Sequence, residues 1–223
     1  LRSLTELPGG FLYSCERLKR FTWPEQSDLI GIGDKFLSYC PSLTAVDLSG
    51  FGNVTSIGSS FLSNCGSLEV VDLSPLRSLT KLKDGFLTNC HRLTTFSWTE
   101  QSDLRVIGDD FLGQCPSLTA VDLSGLGNVT CIGQRFFSGC ASLEVVDLSP
   151  LRSLSELPGG FLMNCHRLTM FSWTEQSDLR VIGDEFLSQC HSLTAVDLSG
   201  FGNVTSIGSS FLSNCGSLEV VDL

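Results

Sequence analysis

Apolar residues return along this chain with a fixed period of 25. Aligned on the apolar residue that precedes each Gly-rich turn, the sequence divides into eight whole units, with six residues before them and 17 after. The unit Ile32 to Ser56, IGDKFLSYCPSLTAVDLSGFGNVTS, gives the pattern IGxxFLxxCxxLxxVxLxxxxxVxx. Within Leu43 to Leu48, LTAVDL, the apolar residues Leu43, Val46 and Leu48 take the first, fourth and sixth places. Side chains alternate along a strand, so Val46 and Leu48 face one way and Ala45 and Asp47 the other. One short strand per unit predicts parallel stacking, with a crossover of constant hand between strands. In that crossover Val54 and Ile57 are apolar three apart, Gly58 permits a turn, and Ser59 to Cys65 puts Phe61, Leu62 and Cys65 on one side of a short helical turn, with Ser59 as its N-cap and Asp34 as the counterpart in the unit before.

No single unit buries its apolar side alone, whereas a stack buries a continuous column. The expected fold is therefore an α/β solenoid: a parallel β-sheet on the concave face and short helical or irregular crossovers on the convex face. Residues 1–223 read as one such array. Three flavours of unit alternate, carrying FSWTEQSDL (Phe96 to Leu104), VDLSGFGNVT (Val46 to Thr55) and VDLSPLRSL (Val71 to Leu79), which gives a super-period of 75. The run Ser42 to Leu73 recurs letter for letter as Ser192 to Leu223, as recent tandem duplication would leave it. Both ends fall inside a unit, so the expectation is a fragment of a longer protein, with end-to-end self-association of the truncated solenoid as a consequence of its uncapped ends.

Composition narrows the partners. The formal net charge is −10, with 14 Lys and Arg against 24 Asp and Glu, which argues against nucleic acid because phosphate binding needs clustered cations. No apolar run approaches the roughly 18 residues of a membrane span, so membrane insertion of this segment is not expected. Nine of the ten cysteines form the series Cys15, Cys40, Cys65 and onward to Cys215 in steps of 25, and only Cys131 stands apart. Stacked units place such thiols one strand spacing apart with parallel Cβ vectors, a geometry unsuited to bridging. They are expected to be reduced and buried, while Cys131, standing where Ser56 and Ser206 stand elsewhere, is the candidate surface thiol. The pairs Cys90-His91, Cys165-His166 and Cys190-His191 suggest a nucleophile or a zinc site at first sight. Pro41, Gly66 and Ala141 occupy the His position in other units, which marks an exposed turn; no metal, cofactor or catalytic site is expected. Trp23, Trp98 and Trp173 share the inward place of Leu48, and the Phe series from Phe11 to Phe211 is likewise core.

The outward strand positions are the candidate site. Asp47, Asp72, Asp122, Asp147, Asp197 and Asp222 hold the fifth position, replaced by Thr22, Ser97 and Ser172 in the Trp-bearing units. Beside them the third position holds Ala45, Val70, Thr95, Ala120, Val145, Met170, Ala195 and Val220. Small and apolar residues flanked by carboxylates suit an extended polypeptide with Lys or Arg along it; a solubilising acidic stripe is the plainer reading. Asn53, Asn128 and Asn203 each open an Asn-Val-Thr sequon, a glycan acceptor in a secreted eukaryotic protein.

IGDKFLSYC followed by SLTAVDL resembles the BspA-type leucine-rich repeat, known from bacterial and protist surface proteins, and the resemblance runs through the whole chain. Two departures are the unit length of 25 and FL in place of AF. CPSLTAVDLSGFGNVT also resembles the cysteine-containing leucine-rich repeats of ubiquitin-ligase adaptors. The Asn familiar three residues past the last strand Leu is missing, with Phe51, Leu76 and Gln101 in its place, so no Asn ladder is expected there. The first resemblance implies a non-enzymatic recognition array, extracellular or at the cell surface, adhering to proteins through its exposed sheet. The second implies a cytoplasmic interaction scaffold, such as the substrate-recognition arm of a ubiquitin ligase, and a structural spacer is the third possibility.

Overall fold

The computed structural model describes residues 3–25, 27–173 and 177–222; Leu1, Arg2 and Leu223, the ends of the array, lie outside the described residues. The units contribute two short parallel strands apiece, save that residues 145–147 form none. The three-residue strands, such as Arg20–Thr22, Ala45–Asp47, Thr95–Ser97 and Met170–Ser172, are the LTAVDL strands expected from alternation. They pair in steps of 25, for example Ala120 with Thr95 and Asp122 with Ser97. A second parallel sheet, of two-residue strands such as Gly31–Ile32, Ser56–Ile57 and Val106–Ile107, runs through the IG positions. The sequence offered no alternation there from which to expect it.

The crossover differs from expectation. Ser59 to Cys65 is not a helical turn, because alternate residues take left-handed backbone: Ser60, Leu62 and Asn64 have φ of 60°, 53° and 58°. The segment is a ribbon of turns bonded to its neighbours on both sides. Ser60 and Asn64 donate their N–H groups to Asp84 O and Thr88 O in the next unit, each at 2.8 Å, while Leu62 donates to Phe36 O in the unit before at 3.0 Å. A helix this short would close few internal bonds for the entropy it fixes. Stacking instead supplies a partner 24 or 26 residues away for each group, which offsets the roughly 1–2 kcal/mol that a left-handed residue costs. Asp34 is accordingly not a cap of its own turn: its carboxylate accepts the N–H of Ser59 in the next unit at 2.8 Å.

The cysteine column completes this ribbon. From Cys40 to Cys215 each Sγ–H of the column donates to the carbonyl of a left-handed residue in the unit before, as in Cys65 to Leu37 O at 3.1 Å and Cys90 to Leu62 O at 3.2 Å. A thiol is small and apolar enough for the core and still donates, which is the physical reason for its recurrence. Behind the ribbon the Phe series forms one stacked file, with Phe36 and Phe61 at 5.2 Å between centroids and Phe61 and Phe86 at 4.6 Å. Trp23, Trp98 and Trp173 are buried beside it, as expected. One continuous apolar core runs from Leu7 to Phe201.

Candidate interaction face

The outward strand column is solvent-facing, as alternation required. Val70, Val145 and Met170 expose 56%, 63% and 55% of their surface, large values for such side chains. Ala120 is exposed as well, while Ala45, Thr95 and Ala195 are half-buried. Asp47, Asp72, Asp122, Asp147 and Asp222 are exposed and Asp197 half-buried, so the predicted acids do lie on one face.

Their presence in only two of the three unit flavours has a local cause. After five of these six acids the chain enters a 3-10 turn, Ser49–Phe51, Ser74–Leu76, Ser124–Leu126, Ser149–Leu151 or Ser199–Phe201. The Asp two residues ahead of each turn's first N–H accepts it: Asp47 from Ser49 N at 3.0 Å, and Asp72, Asp122, Asp147 and Asp197 from their serines at 2.9 Å. Such an Asx turn satisfies a donor the short helix leaves free. The units of Thr22 and Ser97 carry no 3-10 turn among the described residues, and no Asp at that strand position. The backbone N–H groups of Ser49, Ser124 and Ser199 hold Asp47, Asp122 and Asp197 below their ordinary 3.8, so these groups stay charged. The sequence pattern Asp-x-Ser carries this signal, and a reading confined to strand alternation misses it.

Charge along the edge of the face is partly paired: Arg92 bridges Glu69, and Arg167 bridges Glu144. Threonines on the same edge stitch adjacent units, with Thr44 Oγ1 donating to Lys19 O and Thr194 Oγ1 to Thr169 O, both at 3.0 Å. Between Val145 and Trp173 the face opens into a cleft of about 280 Å³, lined also by Asp147, Arg152 and Ser172. Arg152, which sequence reading passed over, is the one cation on its wall among the described residues.

The remaining candidates fall apart as sites. The thiols of the Cys-His pairs point at backbone carbonyls, and His166 and His191 stack on each other at 4.9 Å with their Nδ1 atoms 2.9 and 3.0 Å from Gln189 O and Asn214 O. Among the described residues no three His, Cys, Asp or Glu come together. Asn53, Asn128 and Asn203 each donate a side-chain N–H to a carbonyl of the unit before, at 3.2, 2.8 and 3.0 Å. A tie of the kind the missing Asn ladder would make is thus supplied once per 75-residue module, from two positions further along. A glycan on these residues would share that nitrogen.

All ten cysteines are free, seven of them buried, Cys15 and Cys215 half-buried and Cys131 exposed. Burial pushes the Cys65, Cys140 and Cys165 thiols well above their ordinary 9.0 and Cys190 up to about 12. A maleimide reagent is therefore expected to modify Cys131 first and, more slowly, Cys15 and Cys215 at the two ends. Mass spectrometry of the native protein finding the seven interior thiols labelled at a similar rate would contradict this arrangement.

The family model of the BspA-type leucine-rich-repeat region matches residues 5–126 and 105–223, in six copies. Among solved structures, a leucine-rich repeat protein from Bacteroides ovatus is 20% identical over 95% of this chain and 69% of its own, with a TM-score of 0.51. A leucine-rich cell surface protein from Faecalibacterium prausnitzii is 19% identical over 98% of this chain and 76% of its own, at 0.48. A leucine-rich repeat protein from T. pallidum is 18% identical over 97% and 72%, at 0.40. The first of these shares the solenoid fold. No match was found among curated proteins.

Proposed function

This chain belongs to the BspA-type leucine-rich-repeat family, and from that premise we propose that it is a non-enzymatic recognition scaffold at the cell surface, whose outward strand face takes an extended polypeptide bearing Lys or Arg. Residues 1–223 act in this reading as one array. The observation that carries the proposal is the face itself: exposed Val70, Val145 and Met170 lie beside a column of charged, exposed Asp, in a chain of net charge −10. Apolar spots give contact area, and carboxylates steer a basic chain and set its register. The surface location rests on the family resemblance; a full reading frame with a leader and an anchor would support it, and one with neither would overturn it.

The capping role of the same Asp residues favours a second reading, an acidic stripe kept for the 3-10 turns alone in a structural spacer. Replacing Asp47, Asp72, Asp122, Asp147 and Asp197 together by Asn separates the two. Asn still accepts the serine N–H but carries no charge. The recognition reading expects the wild-type protein to bind an extended Lys-bearing peptide with marked salt dependence, and the Asn variant to lose at least about tenfold in affinity at unchanged thermal stability. Equal binding by the two proteins would leave the spacer.

A further inference from the structure

Both strand sheets are interrupted at the same step of the 75-residue module. Ala45–Asp47 does not pair with Val70–Asp72, and residues 145–147 form no strand beside Ala120–Asp122. In the second sheet Ser56–Ile57 is unpaired with Lys81–Leu82, and Cys131–Ile132 with Glu156–Leu157. The duplicated sequence supplies an internal control. Residues 42–73 and 192–223 are identical, yet Ala195–Asp197 pairs in full register with Val220–Asp222, and Leu198 N–H donates to Asp222 O at 2.8 Å. The same acids, Asp and Glu alike, therefore sit on paired strands in one place and on unpaired strands in the other. Like-charge repulsion within these residues does not account for the seam; the cause lies outside residues 42–73, and at both seams the segment that follows, Ser74 to Lys83 or its counterpart, departs from the other steps.

Two residues of that segment replace glycines on which close approach depends. A Cβ on Gly125 would lie 2.2 Å from Glu100 O, and one on Gly133 2.4 Å from Asp109 N; Gly50 and Gly58 are as tightly faced, at 2.1 and 2.3 Å. One unit further on, the same columns hold Pro75 and Lys83 at the first seam, and Pro150 and Pro158 at the second. Gly125 N–H donates across to Trp98 O at 2.7 Å, a bond that proline has no hydrogen to make. In the second column every step from Gly33 to Gly208 has glycine except the two seams, where the side chains of Lys83 and Pro158 stand instead.

The turn ribbon crosses both seams intact. Ser60 N bonds Asp84 O at 2.8 Å and Leu87 N bonds Phe61 O at 3.0 Å at the first; Arg135 N bonds Gly159 O at 2.8 Å and Leu162 N bonds Phe136 O at 3.0 Å at the second. We infer that the solenoid is a series of three-unit blocks hinged along the turn ribbon, the strand side of each seam being left in contact but without a backbone ladder by Pro75 with Lys83 and by Pro150 with Pro158. Opening and closing of the hinges changes the spacing of Asp47 from Asp72 and of Asp122 from Asp147 on the outward face. The hinge stands whether or not that face binds a basic chain.

Amide hydrogen exchange on the whole chain tests this. Glu69 and Glu144 amides, at the seams, are expected to exchange at least about tenfold faster than those of Thr94 and Thr119, which donate to Glu69 O and Thr94 O within a block. The double variants P75G/K83G and P150G/P158G should slow Glu69 and Glu144 respectively by a similar factor, with the ribbon amides of Leu62 and Leu87 as the control for folding. Should either variant lose ribbon protection, the converse pair G125P/G133K decides the matter by exposing Thr119. Equal protection of Glu69 and Thr94 in the wild type, or seam amides unmoved in a folded glycine variant, or Thr119 unmoved in the converse variant, overturns the hinge.

Discussion

Raising the pH past 9 is expected to unfold the protein cooperatively, with most structure gone by about pH 11. Burial holds the thiols of Cys65, Cys140, Cys165 and Cys190 far above the 9.0 they would show in an unfolded chain, and Cys90, against the thiol of Cys115 and fully enclosed, is raised in the same direction. The folded state therefore keeps protons that the unfolded state releases. Stability is complete below the unfolded value and falls as pH rises through and beyond it. Each thiol contributes about 1.4 kcal/mol per pH unit in that window. Five of them together approach roughly 7 kcal/mol per unit, within the 5–15 kcal/mol that holds a typical domain. Far-ultraviolet circular dichroism and thiolate absorbance, followed together against pH, should change in one transition. Interior thiols that ionise near pH 9 while the dichroism stays native would mean that the cysteine column is open to solvent.

Replacement of Phe111 by Ala is expected to cost about 3–5 kcal/mol and to split the unfolding transition. Phe111 is wholly buried, stacked on Phe136 at 5.2 Å and edge-on to Phe96 at 5.5 Å and Phe137 at 6.0 Å. Its ring is enclosed from both neighbouring units, and the ribbon backbone bonded on either side cannot collapse into the space it leaves. Because each unit of a solenoid touches only its neighbours, the cavity weakens the coupling between the two halves rather than the whole array at once. Urea unfolding should therefore broaden or resolve into two steps. The same change at Phe211, half-buried in the last unit, should cost less than half as much. A loss below about 1 kcal/mol at Phe111, in a single sharp transition, would show that the Phe file does not carry the stack.

Much of this molecule can be read from its residues in order. The period of 25, the parallel LTAVDL strands, the inward Trp and Phe, the buried cysteines and the outward Asp column all come from side-chain alternation and repetition, which are local properties repeated until their sum is unambiguous. Even the 3-10 turns leave a trace, in the Asp-x-Ser that accompanies them and is missing from the unit of Trp98. Other features are set by neighbours a full unit away. Leu62 is left-handed because its N–H and carbonyl are claimed by the preceding unit and by Cys90, which no propensity of Leu announces. Asn128 ties to Ser102 O from a position where no ladder was expected. The seams go furthest in this respect: residues 42–73 and 192–223 are one sequence with two pairings, so what decides whether these strands pair lies outside those residues, in the units around them. Pattern along the chain determines what a unit is, and contact between units decides how tightly it joins the next.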